Sequence, residues 1–257
     1  MEHQFLKINF HSFKVIIMAS ILSYSIGRKL LMSLSGLFLV MFLLVHLTVN
    51  SFLILDPLFG TNEGEMFNAG VHFMGINPMI RIIEPILALG FLVHILYSIV
   101  LTIQNMKARG ANNYLSGNKT SDVEWTSKNM FVLGIALFAF LAIHIAQFWL
   151  KMKLTGDPLL DEEATFSYFG VITQGENAYA LVHGALQIPW VLGAYVIGGI
   201  ALALHISHGF WSAFQTIGFS NSVWIPRLQK ISTVVAWLIG LGFAAIALVQ
   251  HFVYPLS

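Results

Sequence analysis

The run SGLFLVMFLLVHLTVNSFLIL, residues 35–55, puts His46 inside an almost unbroken apolar stretch. An imidazole there needs a hydrogen-bond partner or a ligand, because polar groups are expensive at membrane depth. The chain has ten histidines. His3 and His11 lie near its start, His72 and His183 in polar connections, and His251 near the end of the last apolar run. The other five, His46, His94, His144, His205 and His208, fall inside apolar runs, with at least one in each of the first four. A single such residue is commonly a hydrogen-bonded packing group, whereas four successive runs each bearing one point to ligation. Neutral imidazole suits zinc, copper, iron or nickel.

The elements that must position them are long. Of 257 residues, 57% are hydrophobic and 10% charged, against about a quarter charged in soluble domains. Five runs, 30–55, 82–106, 129–153, 190–216 and 231–254, reach the roughly 20 residues that cross a bilayer. Backbone groups in lipid must be satisfied internally, and no run alternates as a barrel strand does. The expectation is an all-α membrane protein, a bundle of five transmembrane helices.

Ten of the thirteen Lys and Arg residues, among them Lys29, Lys107, Lys128 and Arg227, fall at one end of these runs, and nine of the twelve acids at the other. The positive-inside rule then makes the N-terminus cytoplasmic and the C-terminus external. Residues 1–28 read as a cytoplasmic segment and 29–257 as one five-helix domain. Within the segment, VIIMASILSYSI (15–26) is too short to span and reads as an interfacial helix in preference to a secretory signal; Met18 is an alternative start. The connections 56–80 and 154–189, rich in Phe and Tyr, are expected to lie on the membrane surface as short helices. No basic block suggests nucleic acid, and the lack of cysteine excludes thiolate zinc and iron–sulfur ligation by this chain.

Depth sorts the histidines. At 1.5 Å per residue, His46 lies roughly 25 Å from the basic end and His144 roughly 24 Å, against roughly 20 Å for His94 and 17 Å for His205. Two levels result, an outer His46–His144 pair and an inner His94–His205 pair. His205 and His208 share a helix face, and spacing does not choose between them. Zinc would need three or four ligands at one depth, with carboxylate or thiolate help that the centres of the runs lack. Haem needs two axial ligands and is itself largely apolar, and Gly36, Gly90, Gly134 and Gly209 would admit a porphyrin near the backbone. Two axial histidines favour electron transfer over oxygen chemistry.

The segments SIGRKLLMSLSG, SGLFLVMFLLVH, HFMGINPMIRIIEPILALGFLVHILYSI, FLAIH and HISHGFW resemble the cytochrome b membrane-anchor subunits of succinate dehydrogenase and fumarate reductase. The likeness is to the five-helix, di-haem type of menaquinone-using bacteria, cytochrome b558, and runs from about Ser25 to Val253. It implies a bacterial cytoplasmic-membrane protein that passes electrons between an iron–sulfur subunit and menaquinone through two haems b. It assigns His46 and His144 to the outer haem, and His94 and His205, rather than His208, to the inner one. Ser33 matches a propionate contact. A flavoprotein with FAD and the iron–sulfur subunit would dock on the cytoplasmic face, making this chain the quinone-reacting part of complex II. Where some fumarate-reducing relatives have a glutamate two residues before the fourth-span ligand, this chain has Ala203.

For the quinone, His72, Arg81, Glu84 and Asn50 are candidates near the outer haem, although Arg81 and Glu84, three apart, could equally pair with each other. Rival functions are a quinone-linked di-haem cytochrome with a different soluble partner, and a haem-free histidine-relay transporter. The second would want buried carboxylates beside its histidines.

Overall fold

A computed structural model describes residues 24–59, 64–109 and 125–254. The interfacial helix expected over 15–26 falls almost wholly outside these residues, as do His3, His11 and Met18.

The five apolar runs are helices: α1 (Ser25–Phe59), α3 (Pro78–Arg109), α5 (Met130–His144), α8 (Pro189–Thr216) and α9 (Trp224–Phe252). All five are long and apolar enough to cross a membrane, α5 together with the π-helical turns that extend it to Thr155. Shorter pieces complete the chain: α2 (Glu65–Ile76), α4 (Trp125–Lys128), α6 (Pro158–Asp161) and α7 (Ala178–Leu186). Residues 163–176 correct the expectation of surface helices only. They form an antiparallel hairpin, β1 (Glu163–Tyr168) with β2 (Val171–Glu176), Tyr168 opposite Val171. β-branched or aromatic residues make up half of each strand, Thr165, Phe166 and Tyr168 in β1 and Val171, Ile172 and Thr173 in β2, which suits a pleated surface better than a helix.

The tightest seam joins α8 and α9. Without a hydrophobic force between helices in lipid, small residues that let backbones approach hold spans together. A Cβ added to Gly199 would lie 2.6 Å from the Gly240 carbonyl oxygen, and one added to Gly240 would run into that of Gly199. Ser232 adds a buried hydroxyl donated to the Ser207 carbonyl (2.7 Å). Gly240→Leu is therefore expected to cost about 1–3 kcal/mol or more by overpacking, read as a lower melting temperature of the detergent-solubilised chain.

The other spans pack differently. α1 lies on α3, α8 and α9, and α5 lies on α8, with Phe140 set into the notch left by Gly198. Among the described residues, however, α1 does not pack along α5, nor α3 along α8 or α5. The helices that carry each histidine pair therefore meet through side chains and not along close backbone seams.

At the acidic end, Asp56 is buried and accepts from the backbone N–H groups of Gly64 (3.1 Å) and Met66 (2.8 Å), tying the start of α2 to the end of α1. Gln250, fully buried, donates to the Leu53 carbonyl (2.6 Å) and accepts from His183 Nδ1–H (2.8 Å), locking α1, α7 and α9 together. His251 Nδ1–H donates to the Leu186 carbonyl (2.9 Å). Beyond α5, the Lys151 ammonium donates to Asp157 (2.6 Å) and holds that carboxyl below the usual carboxylate range.

Candidate functional site

Between the loosely joined spans stand two facing pairs of imidazoles. His46 on α1 and His144 on α5 have ring centres 5.7 Å apart and ring planes at 89°. His94 on α3 and His205 on α8 have ring centres 6.3 Å apart and planes at 74°. Tyr195, which touches His144, and His205 are ten residues apart on α8, so the two levels differ by about 15 Å along the bundle.

Three of the four rings are held by a neighbour chosen by helix geometry. His94 Nδ1–H donates to the Met32 carbonyl (3.3 Å). A Cβ on Gly36, one turn further along α1, would sit 3.1 Å from the His94 ring. Glycine is thus what lets α1 approach this imidazole. Ser33, buried, belongs to the same turn of α1. His144 Nδ1 lies 3.1 Å from the Tyr195 hydroxyl, and Phe140 and Phe148 flank the ring. His46 stacks on Phe42, and the Asn50 amide donates to the His46 carbonyl (2.8 Å) while standing 3.4 Å from its Nδ1. The buried His205 Nδ1 has no hydrogen-bond partner. His208 packs its ring edge-on against Trp211 at 5.1 Å.

This donor set fits a flat metal macrocycle. An imidazole–metal bond is about 2.0 Å long, so two rings gripping one metal from opposite sides have centres about 6 Å apart. Both observed spacings agree. The Met32 carbonyl can only accept, so it puts the His94 proton on Nδ1 and leaves Nε2 free to coordinate, while the Tyr195 hydroxyl orients the His144 ring. A Cβ at Gly134 would meet nothing within 4 Å. At Gly209 it would meet only Met130 at 3.8 Å, whereas Gly90 is filled by Phe38 at 3.0 Å. Among the described residues no cluster of three or more His, Asp or Glu could hold a bare metal ion.

The quinone candidates are not gathered into one cluster. Asn50 serves His46. His72 packs against Phe166 and Tyr168 of the hairpin (5.5 and 5.1 Å). Arg81 is exposed. Glu84 turns to α5 instead of Arg81, accepting from Trp149 Nε1–H (2.7 Å) and lying 3.4 Å from Lys153 Nζ. Trp149 reaches it from the π-helical turn Ile145–Trp149 that directly follows His144. In an α-helix residue 149 would point about 140° away from 144, but the wider π turn, with its i→i+5 bonds, brings such pairs onto one face. Sequence reasoning missed Trp149, Lys153 and Tyr195. An aromatic hydroxyl ten residues before His205 was a usable signal for Tyr195 alone.

Ala203 is fully buried, and a Cβ on Gly240 would fall 2.7 Å from its own Cβ. A glutamate at 203 has no space in this seam.

Over 214 residues, 83% of this chain and 88% of the other, the sequence is 25% identical to the succinate dehydrogenase cytochrome b558 subunit of Bacillus subtilis (strain 168). The likeness therefore spans most of both chains and is to a cytochrome b subunit of succinate dehydrogenase. No family model matches the chain, and no solved structure does. As a cytochrome b558 relative with five membrane-length helices, it is a multi-pass protein of the bacterial cytoplasmic membrane.

Proposed function

We propose that the chain is the haem-binding membrane anchor of a succinate dehydrogenase or fumarate reductase, linking an iron–sulfur subunit to menaquinone. The observation that carries this reading is the pair of facing imidazole couples at two depths, in a chain similar to a cytochrome b558 subunit. His46 and His144 would ligate an outer haem b, and His94 and His205 an inner one, with Ser33 beside the inner propionates. Two such haems supply one-electron carriers between the two faces of the membrane.

The residues around them orient and insulate. Met32 and Tyr195 hold His94 and His144 by Nδ1, Asn50 braces His46, and the phenylalanines exclude water. The basic end, with Arg28, Lys29, Lys107, Lys128 and Arg227, is the cytoplasmic face on which the iron–sulfur subunit and its FAD-bearing flavoprotein partner dock. Menaquinone reacts near the opposite face, where Glu84 stands beside Trp149 and Lys153. His72, Arg81 and Asn50 remain candidates there, Asn50 through His46. The closed seam at Ala203 supports a succinate-oxidising rather than a fumarate-reducing assignment.

Affinity purification of the tagged chain from its own membranes tests this directly. A flavoprotein and an iron–sulfur protein should co-purify and reduce a menaquinone analogue with succinate. Recovery of a different soluble reductase would favour the rival di-haem cytochrome. Tyr195→Phe removes the partner of His144 and no coordinating atom. It should keep the haem content but shift the outer haem's midpoint potential, since outer-shell partners tune ligand basicity; redox titration checks this.

A further inference from the structure

The hairpin carries a polarity gradient that neither the bundle nor the histidine pairs use. Its base is acidic: Asp161 and Glu162 precede it, and Glu163 pairs directly across from Glu176. Like charges placed opposite each other on a strand pair repel, so this end belongs in water. The tip has no charge. Phe169 is 86% exposed, Ile172 72% and Val171 65%.

The turn itself is unusual. Phe169 has φ of 50° and Gly170 of 81°. Both central residues at positive φ is the shape that Asn-Gly or Asp-Gly adopts most easily, and a bulky residue there is an outlier. An aromatic ring held at this cost, with its face in the open, points to a use for the ring.

Position supplies the use. α2 lies against the last turns of α1, where Gly70 abuts Phe52 and Val49. The hairpin lies on α2, with Ser167 N–H donating to the Glu65 carboxylate (3.0 Å) and Phe166 and Tyr168 packed on His72. It is therefore held, through α2, at the end of α1.

We propose that Phe169, Val171 and Ile172 dip into the lipid boundary at the acidic end of the bundle and anchor the hairpin and α2 there. A lipid surface suits the patch better than a protein does. The one aromatic ring offers about 150–250 Å² and the two smaller aliphatic side chains less each, so the tip alone falls short of the roughly 800 Å² per partner of a stable protein interface. The connection 154–189 contains no Lys or Arg, so insertion depends on the apolar tip and not on anionic headgroups. This inference does not rest on the haem assignment.

The chain has no cysteine, so Phe169→Cys, Ile172→Cys and Glu162→Cys each take a single spin label at an exposed site. The full chain, purified with its bound groups and reconstituted in phosphatidylcholine vesicles, is then probed with oxygen, which partitions into lipid, and with a water-soluble nickel chelate. Labels at 169 and 172 should show a several-fold higher ratio of oxygen to nickel accessibility than the label at 162. Equal ratios at all three sites would place the tip in water and overturn the proposal. Protection of 169 and 172 from both probes would mean burial against protein, a second copy included, and would overturn it equally.

Discussion

His46→Ala or His144→Ala is expected to lower the haem b content from two per chain to one and to abolish menaquinone reactivity. The two rings face each other at 5.7 Å from helices that do not pack together, so each is half of one grip. Removing one would leave a haem iron held there with a single protein ligand. The inner pair lies about 15 Å away along the bundle, held by Met32 and Gly36, contacts that neither substitution touches. The inner haem's spectrum should therefore persist. Haem-to-protein ratio by pyridine haemochrome, with reduced-minus-oxidised spectra, measures both. Two haems retained in both variants would remove His46 and His144 from the ligand set.

The second large effect separates two histidines one turn apart. His205→Ala should lose the inner haem, while His208→Ala should keep both. Both lie on one side of α8, but the ring facing His94 at 6.3 Å is that of His205, and His208 packs edge-on against Trp211. The same haem ratio decides it. Loss of a haem from His208→Ala with none from His205→Ala would exchange their roles.

How much of this was legible before folding depends on the range of the interaction. The five spans were readable because a helix in lipid writes itself as a continuous apolar run. The two histidine levels followed from counting residues inward from Lys29, Lys107 and Lys128, since rise per residue is nearly fixed. What brings His46 to His144 is not local. It depends on the close seams of α8 with α9 and α5, where Gly199, Gly240 and Gly198 read in sequence only as small residues among many. The hairpin was missed although Thr165, Phe166, Val171, Ile172 and Thr173 are strand formers. Aromatic content beside a membrane was given more weight than β-propensity, and Phe169-Gly170 lacks the Asn or Asp that usually marks such a turn.

The outer candidates show the same limit. Glu84 and Arg81, three apart at the start of α3, read equally as a mutual pair or as quinone-site residues, yet Glu84 bonds to Trp149 and Lys153 sixty-five and sixty-nine residues away. Only the π turn after His144 brings Trp149 round, and residue types do not announce a π turn. Tyr195 likewise becomes meaningful only once α5 lies on α8.

The most direct test is a redox titration of the visible α-band of the purified full-length chain. Two facing imidazole pairs at different depths predict two one-electron components of equal amplitude, both of b type and low-spin. A single component, or no b-type α-band at all, would contradict the reading of these four histidines as the axial ligands of two haems.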